Sequence, residues 1–137
     1  MNVDPKATEG LILLKPNEGR RYHLGSMKAI FKADETETNE QYSVSEWWLE
    51  PNSQGLGLHR HEDNDEIFYV LEGTFSFLIG EEWVDAVKGS FLKIPARIYH
   101  DFANRTNERA GVLNFFVPVG FERHMPGIVK WFKENKG

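Results

Sequence analysis

Short apolar runs separated by turn residues recur along the whole chain. Glycine and proline lie between several of these runs, as in Glu72-Gly73, Gly80-Glu81, Lys88-Gly89 and Pro95-Ala96, where they favour turns. Short strands at this regular spacing are typical of an all-β sandwich or a closed barrel. The runs that predict strands are residues 11–14, 21–24, 28–32, 42–49, 66–71, 74–79, 83–87, 91–94, 99–104 and 111–117.

Two of the runs also predict how the strands are buried. Residues 74–77 alternate in polarity, which predicts a strand with Phe75 and Phe77 on one face and Thr74 and Ser76 on the other. Residues 67–71 are apolar at every position, which predicts a strand covered on both faces.

Two segments depart from the strand pattern. Residues 32–41 carry four acidic side chains among Thr and Asn, and we expect an exposed, mobile hairpin loop there. After Pro126-Gly127, the apolar residues Ile128, Trp131 and Phe132 recur at helical spacing. Residues 126–137 are therefore predicted to form a helical tail of two to three turns that packs on the outside of the barrel or on a partner subunit.

Composition narrows the class of protein. A length of 137 residues predicts one domain with a core of its own. The net charge of −5, with no basic cluster longer than Arg20-Arg21, argues against binding nucleic acid. The absence of cysteine excludes disulfides, thiolate ligands and thiol nucleophiles. Residues 1–10 are polar and no run approaches the ~18 apolar residues of a membrane span, so we expect a cytoplasmic protein with no membrane partner.

Three of the five histidines lie close to acidic residues in two stretches of the chain. His59 and His61 are two residues apart, so on β-structure they share a face and can bind one ion. His100 follows some forty residues later, and the carboxylate can come from any acidic residue of the run 62–66. Three imidazoles and one carboxylate suit a divalent transition metal. The alternative is a polar lining of a barrel mouth that holds no metal.

The spacing of these residues resembles the cupin superfamily. The first cupin motif, G-x5-H-x-H-x(3,4)-E-x6-G, is matched by His59, His61, Glu66 and Gly73. The second motif, G-x5-P-x-G-x2-H-x3-N, is matched at four of its five fixed positions: Gly89, Pro95, His100 and Asn104. Ser53 and Arg97 stand where the motifs have glycine. Glycine usually serves at the position of Arg97 for its backbone freedom.

The resemblance implies a fold and a metal site. It implies a double-stranded β-helix, the cupin jelly-roll barrel, over residues 1–137, with the motifs within 53–104. It also implies one divalent transition metal per chain (Fe, Mn, Ni, Co, Cu or Zn), with His59, His61, Glu66 and His100 as ligands and Glu66 contributing to catalysis. Side chains that lie an even number of residues from a ligand on the same strand share its face and should line the cavity. Counted from Glu66 these are Phe68 and Val70, and counted from His100 this is Phe102.

Three function classes remain open at this stage. Small cupins that look like this chain include quercetinase-type dioxygenases, which favours a metal-dependent enzyme acting on an aromatic or enolic substrate. A cupin isomerase or lyase would need an acid or base in the cavity. A binding module would hold a small molecule without turnover. The acid/base candidates are Glu46, Tyr99 and Tyr22.

Two further expectations concern surfaces. Cupins of this size commonly form homodimers, and the apolar residues of 11–14 and Trp131-Phe132 can supply a subunit contact. His23 and His124 lie outside both motifs and are expected at the surface or at an interface.

Overall fold

The computed structural model describes residues 9–136, which form two antiparallel β-sheets and one α-helix. Glycine turns close several of the hairpins, as the sequence predicts; Gly73 and Gly80, for example, both have positive φ. The elements are β1 (Arg20–Leu24), β2 (Met27–Ala33), β3 (Ser43–Leu49), β4 (Asp65–Glu72), β5 (Thr74–Ile79), β6 (Glu82–Val87), β7 (Phe91–Ile94), β8 (His100–Ala103), β9 (Ala110–Val117) and α1 (Met125–Asn135).

The two sheets face each other across one aromatic core. One sheet has six strands in the order β1-β2-β3-β9-β4-β7, and the other has three in the order β6-β5-β8. Phe68 of the larger sheet and Phe77 of the smaller one have ring centroids 5.0 Å apart. Both side chains are buried, as are Phe75 and Trp47. This arrangement is a β-sandwich of the jelly-roll type, as the resemblance implies, with β4 in the larger sheet and β8 in the smaller one.

The strand pattern is confirmed in most places, but two predictions were wrong. Residues 11–14 form no strand, although their backbone is described. Residues 67–71 are not covered on both faces, because Phe68 and Val70 are buried while the ring of Tyr69 is 45% exposed. The strand β4 therefore turns one apolar face inward and the other outward.

Residues 34–42 connect the antiparallel strands β2 and β3, as predicted for a hairpin loop, and residues 36, 37 and 39–41 are exposed, but the segment is neither irregular nor exposed throughout. Glu35–Thr38 form a 3-10 helix, and Asp34 and Thr38 are buried. Asp34 caps this helix and reaches across the molecule, where its carboxylate accepts hydrogen bonds from Ser43 Oγ and from the amides of Gly120 and Glu122. The acidic, polar composition of the segment did not indicate that one of its carboxylates is buried and hydrogen-bonded.

The helical tail predicted at the C-terminus is present as α1. Pro126 lies in its first turn, where a missing amide hydrogen costs least. Phe132 is buried in the core of its own chain, and Trp131 is half-exposed, so the helix packs on the barrel through Phe132. Among residues 9–136 no helix is long and apolar enough to cross a bilayer.

Candidate metal centre

Local backbone structure brings four polar side chains together at one end of the sandwich. His59 and His61 lie on the segment before β4, and His59 pairs with His100 through hydrogen bonds from His59 N to His100 O and from His100 N to His59 O, 3.0 and 2.8 Å long. Glu66 lies on β4 of the larger sheet and His100 begins β8 of the smaller one. The cluster therefore joins the two sheets.

The ligand atoms of these four residues converge. One nitrogen or oxygen from each of His59, His61, Glu66 and His100 lies within 4.8 Å of all the others. His100 Nε2 is 2.7 Å from Glu66 Oε2, and His61 Nε2 is 3.5 Å from the same oxygen. The prediction that these residues come together is therefore confirmed in geometry.

Two of the rings are held in a defined orientation by backbone carbonyls. His59 Nδ1 is 2.6 Å from Gly57 O, and His100 Nδ1 is 2.8 Å from Ile98 O. A carbonyl can only accept, so Nδ1 of each ring carries the proton and donates it. The Nε2 atoms are then directed at the cluster, which is how second-shell contacts orient metal-binding histidines.

Burial and charge set the protonation preferences of the cluster. Burial lowers the pKa of His59. Burial also acts to lower the pKa of His100, but the hydrogen bond and the charge of Glu66 outweigh it and raise that pKa. For Glu66, burial acts to raise the pKa of the carboxyl, and the hydrogen bond with His100 reverses the effect and lowers it. The Glu66–His100 pair is therefore favoured as an ion pair, whereas His59 is favoured neutral.

The residues present fit a metal ion. Among the residues that the structure describes, none is a hydrogen-bond partner of the buried His61 Nε2, and such an orphaned nitrogen is costly unless something coordinates it. Three imidazole nitrogens and one carboxylate oxygen are the donors that divalent transition metals accept. This set of four residues can therefore hold a metal.

Asn114 supports the cluster and was not identified from the sequence. Its Nδ2 donates to Glu66 Oε1 at 3.4 Å, and the side chain is buried on β9. This contact leaves Oε2 free to face the histidines. A single polar residue within the apolar run 111–117 was the available signal, because a buried amide needs a partner.

A cavity of about 780 Å³ opens beside the cluster; His59 and His61 line it, whereas Glu66 and His100 do not. His59 and His61 lie at its floor, and the ring of His61 lies 4.9 Å from that of Phe116 and 6.1 Å from that of Phe121. The remaining walls are apolar side chains from the segment before His59, from residues 116–121 and from α1, with charged residues at the rim. The apolar members are Leu56, Leu58, Phe116, Val119, Phe121, Ile128 and Trp131.

The cavity lining differs from the residues named from strand parity. Phe68, Val70 and Phe102 are buried members of the hydrophobic core, and the side chains that border the cavity are the ones given above. Parity identified the inward face of each strand correctly. Alternation along a strand does not show which inward side chains pack in the core and which border the cavity.

The other polar candidates take separate positions. Glu46 pairs with Lys32 at 3.4 Å, and the Tyr22 hydroxyl donates to Glu122. The ring of Tyr99 lies under the guanidinium of Arg60, and none of these three acid/base candidates borders the cavity. His23 is exposed on β1. His124 is exposed as well, but it borders the cavity where α1 begins.

Both departures from the cupin motifs are explained by the structure. Arg97 has φ +73°, the left-handed conformation for which glycine is favoured. Its amide donates to His61 O, and its Nε donates to Glu62 O, so Arg97 ties the His100 turn to the His61 segment. Ser53 is buried and donates to Glu50 O. Asn104 donates to the carbonyls of residues 49, 50 and 108, in keeping with the structural role expected for it.

Comparison with known proteins gives a family and a fold. The family model described as "Cupin domain" matches residues 45–116, more than half of the chain. No curated protein matches the sequence.

Several solved structures share the fold at low sequence identity. KdgF from Halomonas sp. superposes with a TM-score of 0.68 at 17% identity, over 80% of this chain and 94% of that one. A predicted oxalate decarboxylase from Thermotoga maritima gives 0.67 at 21% identity, over 80% and 99% of the two chains. A cupin-superfamily sugar phosphate isomerase from Silicibacter pomeroyi gives 0.60 at 22% identity, over 70% and 62%. With the match to the family model, the chain belongs to the cupin domain family.

Proposed function

We propose that this protein is a metal-dependent enzyme acting on a small molecule, with one divalent transition metal per chain held by His59, His61, Glu66 and His100. The observation that carries the proposal is the orphaned, buried Nε2 of His61 beside two oriented histidines and a carboxylate. A bound divalent transition metal supplies a Lewis-acid or redox centre at the floor of the cavity.

The surrounding residues suit an aromatic or enolic substrate. An apolar, partly enclosed cavity with a few polar groups at one end is the usual form of a small-molecule site. The rings of Phe116 and Phe121 exclude water from one side of the cluster, and Ile128 and Trp131 offer an apolar wall for a planar substrate. The chain's own part in the reaction is to orient the substrate on this wall and to keep the reacting end close to Glu66 and the histidines.

A dioxygenase is the preferred reaction class. Both atoms of dioxygen enter the substrate, which is itself the reductant, so this class requires no separate acid/base residue in the cavity and no external electron donor. Glu46, Tyr99 and Tyr22 do not border the cavity, which weakens their candidacy for proton transfer. Glu66 does not border the cavity either, and it is proposed to contribute to turnover through the negative charge by which it would hold the divalent ion.

An isomerase or lyase is the second candidate, and one residue favours it. His124 borders the cavity at the start of α1, where an imidazole could move a proton to or from a bound substrate. A sugar phosphate isomerase is among the proteins of similar fold. At 22% sequence identity this similarity supports the fold and not the activity. The Thermotoga neighbour is described as a predicted oxalate decarboxylase, a non-oxygenating reaction class as well.

Metal analysis combined with oxygen uptake tests the proposal. The metal content of the protein as isolated is measured for wild type, for His61→Ala and for His23→Ala, an exposed histidine that serves as the matched control. We expect loss of metal in His61→Ala only. Full metal content in His61→Ala would refute the ligand assignment.

Wild type, His61→Ala, His23→Ala and His124→Ala are then assayed against flavonols and other enolic compounds. Oxygen consumption that requires the metal supports the dioxygenase. Turnover without oxygen consumption, abolished in His124→Ala, would move the assignment to the isomerase or lyase class. Metal-independent binding without turnover of any substrate would instead identify a binding module.

We further propose that the protein is a homodimer. The support from the chain is its exposed apolar surface, above all Leu11 and Leu13, since such surface on a small protein marks interaction sites. Trp131 and Phe132 were also named from the sequence as a subunit contact. In the structure Trp131 lines the cavity and Phe132 packs in the core of its own chain. The cytoplasmic location stays a prediction.

A further inference from the structure

The three histidines of the candidate metal centre are not held in the same way. Nδ1 of His59 and Nδ1 of His100 each donate to a backbone carbonyl, and these contacts fix the two rings. No backbone carbonyl among residues 9–136 accepts a hydrogen bond from the ring of His61, whose Nε2 is buried without a partner there. The orientation of the His61 ring therefore depends on the side chains packed against it.

Two aromatic rings pack against the ring of His61. Phe116 lies 4.9 Å from it at an interplanar angle of 85°, and Phe121 lies 6.1 Å from it at 65°. Phe116 and Phe121 are themselves 5.0 Å apart, edge to face, the geometry that aromatic pairs prefer. Phe116 belongs to β9 and is fixed by the pairing of that strand. Phe121 follows the last strand, so other contacts must fix its position.

The side chain of the next residue, Glu122, ties this segment to β1. One oxygen of its carboxylate accepts a hydrogen bond of 2.7 Å from the hydroxyl of Tyr22. Both oxygens lie within 2.9 Å of Arg20 Nε, which donates to them. The Glu122 side chain is only 13% exposed, and hydrogen bonds to a charged group are among the stronger ones.

This contact differs in direction from the one that Asp34 provides. Asp34 holds the backbone on either side of Phe121, through the amides of Gly120 and Glu122. The Glu122 carboxylate instead reaches β1, the edge strand of the larger sheet. The segment is therefore fixed from two sides, and only the second contact depends on the side chain of Glu122.

Tyr22 also supports Phe121 through ring contacts. The ring of Tyr22 lies 5.7 Å from that of Phe31, edge to face, and the ring of Phe31 stacks on that of Phe121 at 5.8 Å. Phe31 is fully buried on β2. Tyr22 is thus connected to Phe121 through the core as well as through Glu122.

These contacts indicate a role for Tyr22 other than proton transfer. Burial, together with the hydrogen bond to Glu122, raises the pKa of Tyr22 to about 12. The hydroxyl therefore stays protonated near neutral pH and remains a donor to Glu122. Neither residue borders the cavity beside the metal cluster, so neither would touch a substrate bound there.

We infer that Tyr22 and Glu122 are positioning residues for the candidate metal centre. They hold Phe121 against His61, and this contact keeps Nε2 of His61 directed at the other ligands. Two residues at the edge of the larger sheet thereby influence how firmly the cluster holds an ion that they do not touch. The inference rests on the metal site proposed above and adds the residues that orient one of its histidines.

Nuclear Overhauser contacts in the metal-free protein test the orientation directly. Ring protons of His61 and Phe121 should give cross-peaks in wild type, since the ring centroids are 6.1 Å apart. Tyr22→Phe keeps the ring and removes the hydroxyl, and Glu122→Ala removes the carboxylate, so each should weaken these cross-peaks. Tyr42→Phe is the matched control, because the ring of Tyr42 packs on Phe115 instead, and its cross-peaks should equal those of wild type.

Release of Co²⁺ to a chelator measures the effect on the metal. We expect Co²⁺ to leave Tyr22→Phe and Glu122→Ala roughly threefold faster or more than it leaves wild type and Tyr42→Phe, because the support of a metal ligand contributes to metal affinity. The visible absorption of bound Co²⁺ should change in the same two variants, since it reports the arrangement of the ligands. A merely structural role would lower Tm and leave the cross-peaks, the release rate and the spectrum unchanged.

The outcomes separate the positioning role from the metal site itself. Unchanged His61–Phe121 cross-peaks in both variants would overturn the inference, whether or not the protein binds metal. Weakened cross-peaks with unchanged Co²⁺ release would overturn it as well, because the position of Phe121 would then not matter to the ion. A wild type that binds no Co²⁺ would reject the proposed metal site, and the cross-peaks would still decide whether Tyr22 and Glu122 orient His61.

Discussion

Removing the Asp34 carboxylate should destabilise the protein more than any other single change at an acidic residue outside the metal cluster. Oδ1 accepts hydrogen bonds from Ser43 Oγ and from the amides of Glu35 and Gly120, and Oδ2 accepts from the amide of Glu122. Asp34→Ala leaves these donors without that acceptor in a site where Asp34 itself is only 4% exposed.

The expected loss follows from the number and kind of these bonds. A hydrogen bond to a charged group contributes about 1.5–3 kcal/mol, and a stranded buried donor costs about 1–3 kcal/mol. Ser43 Oγ is also 3.2 Å from the Gly120 amide, and the amides of Glu35 and Glu122 are only partly buried, so water recovers part of the loss. We expect a decrease of about 3–5 kcal/mol in the free energy of unfolding, which lowers Tm by about 6–20 °C for a domain near this size.

Thermal unfolding at several pH values checks the charge as well as the contacts. Burial acts to raise the pKa of the Asp34 carboxyl, but the hydrogen bonds from Ser43 and the backbone amides outweigh it and lower that pKa. This stabilisation is therefore complete above the unfolded pKa of about 4 and is lost as pH falls toward the lower folded value. In Asp34→Asn, the free energy of unfolding should therefore decrease less steeply than in wild type as the pH is lowered.

The control is Glu81→Ala, an exposed acid in the turn between β5 and β6. Its effect should stay within about 0.5 kcal/mol. If Asp34→Ala melts within error of Glu81→Ala, the reasoning about the buried carboxylate is refuted. Hydrogen exchange adds a local readout, since α1 follows directly after the tethered residues 120–122 and should open earlier in Asp34→Ala.

Four further predictions concern the larger sheet, the turn at Arg97, the cavity and the candidate metal ligands. A Cβ on Gly111 would lie 2.2 Å from the indole of Trp48, so Gly111→Ala should cost about 1–3 kcal/mol in a denaturant melt; an unchanged midpoint would contradict the contact. Arg97→Gly relieves the left-handed backbone and should raise stability by up to about 1 kcal/mol, whereas a clear decrease would mean that the guanidinium contact outweighs the strain. Trp131→Ala should weaken aromatic ligands several-fold in a binding titration while changing Tm little, because the ring is half-exposed; equal affinity would remove Trp131 from the wall. Metal content should fall on acidification, since protons compete for the imidazoles, and Glu66→Gln should shift this loss to higher pH; identical curves would argue against the carboxylate ligand.

Local patterns in the sequence determined most of the strands, the turns and one pair of the candidate metal ligands. Alternation and glycine turns depend on backbone geometry within a few residues, so they are readable without knowing the fold. The pair His59 and His61 is local in the same sense. Adding Glu66 and His100 depended on the resemblance to a family, because the His100–Glu66 contact joins strands of two different sheets.

Tertiary structure decided which apolar surfaces are covered. Residues 67–71 and 11–14 are apolar at every position, which predicted buried strands. In the structure β4 exposes Tyr69, and residues 11–14 pair with no strand of the described part of the chain. Whether a face is buried depends on what another part of the chain places over it, and hydrophobicity alone does not record that. The same reason separates the packed Phe102 from the cavity-lining Phe116, both inward on their strands.

Contacts between residues far apart in sequence also decided the role of Asp34. Its partner Glu122 is 88 residues away, and nothing in the acidic run 32–41 distinguishes this carboxylate from its solvated neighbours. The energy of a buried charge depends on the donors that surround it, and the fold alone brings those donors together. The sequence determined which residues could hold a metal, and the tertiary structure determined the cavity beside them and the buried hydrogen bonds of Asp34 to residues 120 and 122.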